Sequence, residues 1–309
     1  MVTRVTTAGN YNNVLANLLI AQQRQTDAGN KVATQKNGQN LKDYAKSSEL
    51  ITAMRNVQSR VDAYGEQNKV LSDKLATQNT GLVRVADSAQ AIKQIFSDAL
   101  ASGRVDTLVE DVEAELRNAV EAMNARYGGK YLFAGGQVDT RPVTVTTLSD
   151  LTAGPPISSF FLNDDFKVQA KLDEATTVTT GFLADDIGTA MMTALQTFQA
   201  FNESASGPFT GAMTAAQRTF LEGQLAGWET IRSDVTIQAA QNGTNQKRLE
   251  GIATDLEARG NTLATMLGSI TDADMAEAAA QLEQAQLSVQ SVAYVFQALQ
   301  NSSLLNYLR

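Results

Sequence analysis

Three acidic groupings are the residues best placed to do chemistry in this chain: Asp164-Asp165, Asp185-Asp186, and Asp272 with Asp274. Paired carboxylates work as general acid and base only when a pocket drives their pKa values apart. The flanking sequence implies no such pocket, and adjacent acids are the ordinary residues of turns and helix caps. The partners of other chemistries are missing. There is no cysteine and no histidine, which removes disulfides, thiol nucleophiles, Ser-His-Asp triads and the usual zinc ligands. No phosphate-binding glycine loop, dinucleotide fingerprint or serine elbow occurs, and Gly135-Gly136 is too short to argue phosphate binding. The chain is expected to be no enzyme and to hold no cofactor and no metal. Asn242-Gly-Thr and Asn301-Ser-Ser match a glycosylation pattern that is frequent by chance, and both are set aside.

A net charge of -8 argues against general affinity for nucleic acid or an anionic membrane. A chain without cysteine or histidine suits a protein that must neither cross-link nor hold a metal while it travels unfolded. No cleavable signal peptide is expected, because the apolar residues near the N-terminus are broken by Asn and Gln. The stretch 284–308 is free of charge, yet eleven of its 25 residues are Gln, Ser or Asn, so it is not read as a membrane span.

What must position any function here is helical. From Leu50, steps of four and three residues reach Met54, Val57, Val61, Tyr64, Asn68, Leu71, Leu75, Gln78, Leu82, Val85, Ala89, Ile92, Phe96 and Ala99, and only Asn68 and Gln78 are polar. An apolar repeat of 3.5 favours a supercoiled helical partner. At 1.5 Å per residue that helix spans roughly 75 Å. Leu221, Trp228, Val235, Asn242, Leu249, Leu256, Leu263 and Ile270 form a second row of equal length, so two helices far apart in sequence are predicted to pair. The six glycines between 223 and 268 weaken that return helix, and a kink is expected near Asn242-Gly243.

A third helix is predicted from an Asp106 cap through Leu108, Val112, Leu116, Ala119, Met123 and Tyr127, stopping at Gly128-Gly129. All four prolines and two threonine clusters then fall between residues 140 and 210. Short strands are expected at 144–148, 166–171 and 176–180, with a helix over 185–201 carrying Ile187, Met191, Leu195 and Phe198 on one side.

The ends complement each other: residues 1–40 sum to +3 and residues 271–309 to -3. Near the N-terminus Val14, Leu15, Leu18 and Leu19 make an apolar face too short to hold a helix without a partner. Asn37-Gly38 reads as a turn, and Thr271 with Asp274 as a capping box. Beyond it Met275, Ala278, Leu282, Ala285, Val289, Val292, Phe296 and Leu299 follow heptad spacing, before Leu304, Leu305 and Leu308. The distal polar face is Gln, Ser and Asn, which suits a helix surrounded by other helices, where an unpaired charge would be costly. The two ends are expected to pair with each other or with the same segments of neighbouring subunits.

The reading is a mainly α chain. Its expected parts are axial end segments (1–40 plus 271–309), a long coiled-coil rod built from N- and C-terminal segments (41–130 plus 211–270), and a small β-rich domain inserted mid-chain (131–210). This arrangement resembles the flagellin superfamily of bacterial axial proteins. The resemblance rests on Ile270 to Ala278 and on the ending Leu304-Leu305-Asn306-Tyr307-Leu308-Arg309. Within the superfamily Tyr131, Leu132, Phe133, Ala134, Gly135 and Gly136 look like the "YLFAG" segment of the FlgL family of hook-filament junction proteins, whereas 34–44 lacks the acidic pair many relatives show. The resemblance implies a structural, self-assembling adaptor of the flagellum. It would be exported by the flagellar type III pathway with a cytoplasmic chaperone, and it would sit between a hook-associated protein and flagellin. Filament flagellin, and a tip or translocator protein of a type III injection system, are the alternatives.

Overall fold

The computed structural model describes residues 2–302. Among them are six α-helices: α1 (Val2–Thr34), α2 (Ser48–Ser102), α3 (Leu108–Met123), α4 (Ala184–Glu203), α5 (Ala215–Thr271) and α6 (Met275–Ser302). Two antiparallel hairpins, β1 (Arg126–Tyr127) with β2 (Lys130–Tyr131) and β3 (Gln169–Lys171) with β4 (Thr177–Thr179), and three short 3-10 helices accompany them. The expected mainly α chain with a small β-rich insert is what forms. The chain divides into two compact units, one from Val61 to Glu257, the other from the residues up to Arg60 together with those from Ala258 onward.

In the unit Val61–Glu257 the two heptad rows meet. Leu82, Val85, Ala89, Ile92 and Phe96 of α2 join Leu221, Trp228 and Val235 of α5 in one buried core, to which α3 adds Leu116 and Met123, and α4 adds Met191 and Phe198. The helices run antiparallel, with the Lys93 ammonium donating to Glu229 at 2.8 Å and the Asn242 amide donating to Leu75 O at 2.8 Å. Phe96 meets Trp228 edge to face, centroids 6.1 Å apart. Thr214 and Gln217 start α5 by capping each other, Thr214 N–H to Gln217 Oε1 at 2.9 Å and Gln217 N–H to Thr214 Oγ1 at 3.2 Å. The helix then runs unbroken through Asn242-Gly243. Asn242 is held inside the pair, and packing there outweighs the weak helix propensity of its glycine neighbour.

Three local expectations are corrected. Asp106 does not cap α3; Thr107 takes that place, and Asp106 accepts the Gly211 N–H at 2.9 Å. Helix α3 ends at Met123, before the glycine pair. Gly128 and Gly129, at φ +56° and +81°, instead form the two-residue turn of the β1–β2 hairpin, a type I′ geometry that glycine adopts without steric cost. Nor is 144–148 a strand. Asp150 Oδ2 accepts the Thr146 hydroxyl and N–H, each at 2.8 Å, and the Thr147 N–H at 2.9 Å, which turns the chain into the short 3-10 helix Ser149–Leu151. A side chain competing for backbone donors outweighs β propensity.

The Thr146 hydroxyl, then the Thr146 and Thr147 amides, hold the Asp150 carboxyl at about 2, from an ordinary 3.8. A depressed carboxylate stabilises fully above its unfolded value and loses that contribution as pH falls through the folded one. Between about pH 4 and 2 the Thr146 and Thr147 amides are therefore expected to lose exchange protection. In Asp150→Ala they should exchange fast at neutral pH, as amide NMR would record.

Candidate assembly interface

The unit built from the two chain ends begins with a crossing of connections. Helix α1 ends at Thr34, and Gln35, at φ +58°, turns the backbone out of the helix. Residues 35–37 then run antiparallel to 271–273, with Asn37 N–H to Thr271 O at 2.8 Å and Ala273 N–H to Gln35 O at 3.0 Å. Lys36 pairs with Asp272, and the Asn37 amide donates to Asp272 O at 2.8 Å. At Asn37-Gly38 the chain makes a bend in place of the expected turn, because the Asn37 N–H is taken up by Thr271 O. The bend is closed by the Tyr44 hydroxyl, which accepts the Gly38 N–H at 2.8 Å and lies 2.9 Å from Gly38 O and 3.1 Å from Thr271 O. The hydrogen bond from Lys36 and then that from Thr271 lower the Asp272 pKa, and the Asn40 and Gln39 amides lower that of Asp43. Asp272 therefore holds this crossing, and Asp43 the loop that follows it, best near neutral pH, and each releases its partners in acid.

The cap of α6 falls three residues later than the sequence suggests, at Asp274 instead of Thr271. Asp274 Oδ1 accepts the Ala276 and Glu277 N–H groups at 2.8 and 3.2 Å, while the Thr271 hydroxyl turns back to Leu267 O at 2.9 Å and closes α5. Asp274→Ala is expected to cost α6 about 1 kcal/mol, measured as lost exchange protection at Ala276 and Glu277.

Helices α1 and α6 pack antiparallel. Tyr11 lies on Phe296 with ring centroids 5.0 Å apart, Leu282 reaches Gly29, and the Lys31 ammonium donates to Gln281 Oε1 at 3.3 Å. Small buried residues, Ala21 and Ala28 on α1 with Ala278 and Ala285 on α6, allow close approach. Of the residues singled out from sequence, Val14, Leu18, Leu282, Val289, Val292, Phe296 and Leu299 are half-buried. Leu15 and Leu19 stay exposed, Leu19 by 59%. Leu304, Leu305 and Leu308 lie outside the described residues.

Sequence reasoning missed Ile20, Leu287, Tyr294 and Val295, all at least half exposed, Tyr294 by 72%. Leu287 and Tyr294 stand seven apart, five residues on from Leu282 and Val289, hence roughly 140° further round the helix. Two residues at heptad spacing are too short a row for single-face periodicity to single out. Between the rows lie Gln284, Gln286, Gln290, Ser291 and Gln297, exposed and uncharged. The paired ends thus satisfy one face each and leave apolar and amide faces turned to solvent. Such surfaces suit burial against further helices.

The YLFAG segment lies elsewhere, in the core of the unit Val61–Glu257. The Arg126 guanidinium sits 4.1 Å from the Tyr131 ring centre. Leu132 and Phe133 are buried, and Phe133 O accepts the Ala184 N–H at 2.9 Å. Gly135 (φ +66°) and Gly136 wrap Asp164, whose Oδ1 accepts the Gly136 N–H at 2.7 Å. The second acidic pair has structural partners: Asp185 accepts from Asn163, and Asp186 pairs with Lys167, each at 2.8 Å. Asn242 is fully buried and closed to glycosylation. Among the described residues no His, Cys, Asp or Glu cluster could hold a metal, and no helix is long and apolar enough to cross a membrane.

Residues 225–308 match the family model of the bacterial flagellin C-terminal helical region. The fold is similar to that of a protein from Vibrio parahaemolyticus described as a flagellar hook-associated protein, with TM-score 0.62 and 14% identity, covering 74% of this chain and 100% of that one. It is also similar to FlgL of Bacillus cereus, with TM-score 0.53 and 14% identity, covering 71% of this chain and 99% of that one. No curated protein matches the chain in sequence.

Proposed function

We propose that this chain, whose residues 225–308 match the flagellin C-terminal region and whose fold is similar to hook-associated and FlgL structures, is a flagellin-superfamily protein and a structural subunit of the bacterial flagellum. In this reading it joins a hook-associated protein on its proximal side to flagellin on its distal side. The observation that supports this is the α1–α6 pair, which carries Leu15, Leu19 and Ile20 on one helix and Leu287, Tyr294 and Val295 on the other, all exposed. Copies of the same molecule supply the missing cover. Residues 1–40 and 271–309 make the axial contacts, 41–130 and 211–270 form the coil, and 131–210 face outward. The subunit does no catalysis and binds neither nucleic acid nor membrane. It leaves the cell unfolded by the flagellar type III route, handed over by a cytoplasmic chaperone.

Gold-labelled antibody in electron micrographs tests the placement, with label expected in a narrow band between hook and filament. A null strain should keep its hooks and shed flagellin monomers into the medium. Label along the whole filament would replace this reading with the second one, filament flagellin, which the match to the flagellin C-terminal region also favours.

A further inference from the structure

Where α3 ends, the α2–α5 pair loses its third helix and the β3–β4 hairpin takes its place. Leu172 and Val178 of the hairpin are buried with Leu71 and Leu75 of α2 and Leu249 of α5, a small core separate from the main one. Side-chain amides from both helices grip the hairpin by its backbone. From α2, Gln67 donates to Lys171 O at 3.2 Å and Asn68 to Leu172 O at 2.9 Å, and from α5, Asn245 donates to Thr179 O at 2.9 Å. At the same level Asn242 and Gln246 of α5 donate to Leu75 O of α2, at 2.8 and 3.1 Å. The hairpin's own turn is shaped by Asp173 Oδ1, which accepts the Ala175 and Thr176 N–H groups at 2.8 and 2.6 Å.

These amides occupy a stripe where leucine would pack. Asn68 and Asn242 each bury an amide oxygen that has no donor among the described residues, as does Gln78 a few turns on. An unpaired buried acceptor lowers the stability of the closed state, and five apolar side chains make a thin core. We propose that the β3–β4 hairpin is a releasable clasp: the α2–α5 pair over residues 67–78 and 242–249 is closed only while the hairpin is docked, and the two open together. The mid-chain insert therefore governs the local order of the helical pair instead of merely decorating it.

Hydrogen exchange on the full chain tests this. Residues 169–179 are replaced by Gly-Ser-Gly, which bridges two positions flanking a cross-strand pair. Amides of 67–78 and 242–249 are expected to exchange about tenfold faster or more, while α3 and α4 keep their protection. Asn245→Ala removes only the grip on Thr179 and should give the same two-segment pattern at smaller size. Unchanged protection of both helical segments in the replacement overturns the proposal. So does an Asn245→Ala effect confined to the hairpin, or one spread evenly over α3 and α4. Should the replacement unfold the whole chain, the Asn245→Ala pattern decides.

Discussion

A chain carrying Leu287→Lys and Tyr294→Lys is expected to melt where the parent does and to fail to assemble. Both side chains are more than half exposed in the isolated molecule, at 57% and 72%, and lysine is a good helix former. Substitution at such sites moves stability by less than about 0.5 kcal/mol. In an assembly where neighbouring copies cover the row, the same change removes about 1.5–3 kcal/mol of burial per side chain and puts a cation among uncharged amides. Since about 1.4 kcal/mol is a factor of ten, and every subunit repeats the loss, polymer should vanish from sedimentation profiles and negative-stain images. Removing residues 1–40 or 271–309 should act in the same direction, leaving the unit Val61–Glu257 helical by circular dichroism. Filaments or junctions built by the truncated chains would remove the ends from the interface altogether.

The row at Leu287 and Tyr294 shows where sequence patterning stops informing. The heptad through Leu282, Val289 and Phe296 already satisfies the template for one packed face, so nothing in a single-face periodicity asks for a second. In the long helices the repeat is legible because burial follows it through Leu75, Leu82, Ile92 and Phe96, while Leu50 and Val57, on the same stripe, are exposed. The stripe identifies a helix and its inner side. It does not say how far the chain's own partners extend. The insert was least legible for a different reason. Thr144 to Leu148 has strand propensity, but Asp150 captures its amides, and a preference worth a few tenths of a kcal/mol per residue loses to three bonds on one carboxylate. Of the two amides that broke the first stripe, Asn68 proves to dock another element there: it grips the insert's hairpin, which no heptad count reveals.

Phe133→Ala carries the largest stability loss expected of a single substitution here. Its ring is 1% exposed inside the main core, pressed so closely on α2 that a Cβ at Gly81 would lie 2.9 Å from it. Removing a buried phenyl ring costs about 3–5 kcal/mol, the spread depending on how far the site collapses. Collapse is resisted on both sides of the residue. Phe133 O is bonded to the Ala184 N–H at the start of α4, and Gly135 is fixed by its φ of +66° and its contact with Asp164. Gly135→Ala should be costly for a separate reason, since its methyl would meet Asp164 Oδ1 at 2.2 Å in a left-handed backbone. Urea unfolding of the two variants should show lower midpoints with a parent-like slope, and neither change touches the terminal helices. Assembly measured below the new midpoints is therefore expected to survive in both, which separates the segment's packing role from any part in subunit contact. A Phe133→Ala protein of parental stability would mean that the ring packs somewhere other than against α2 in the main core.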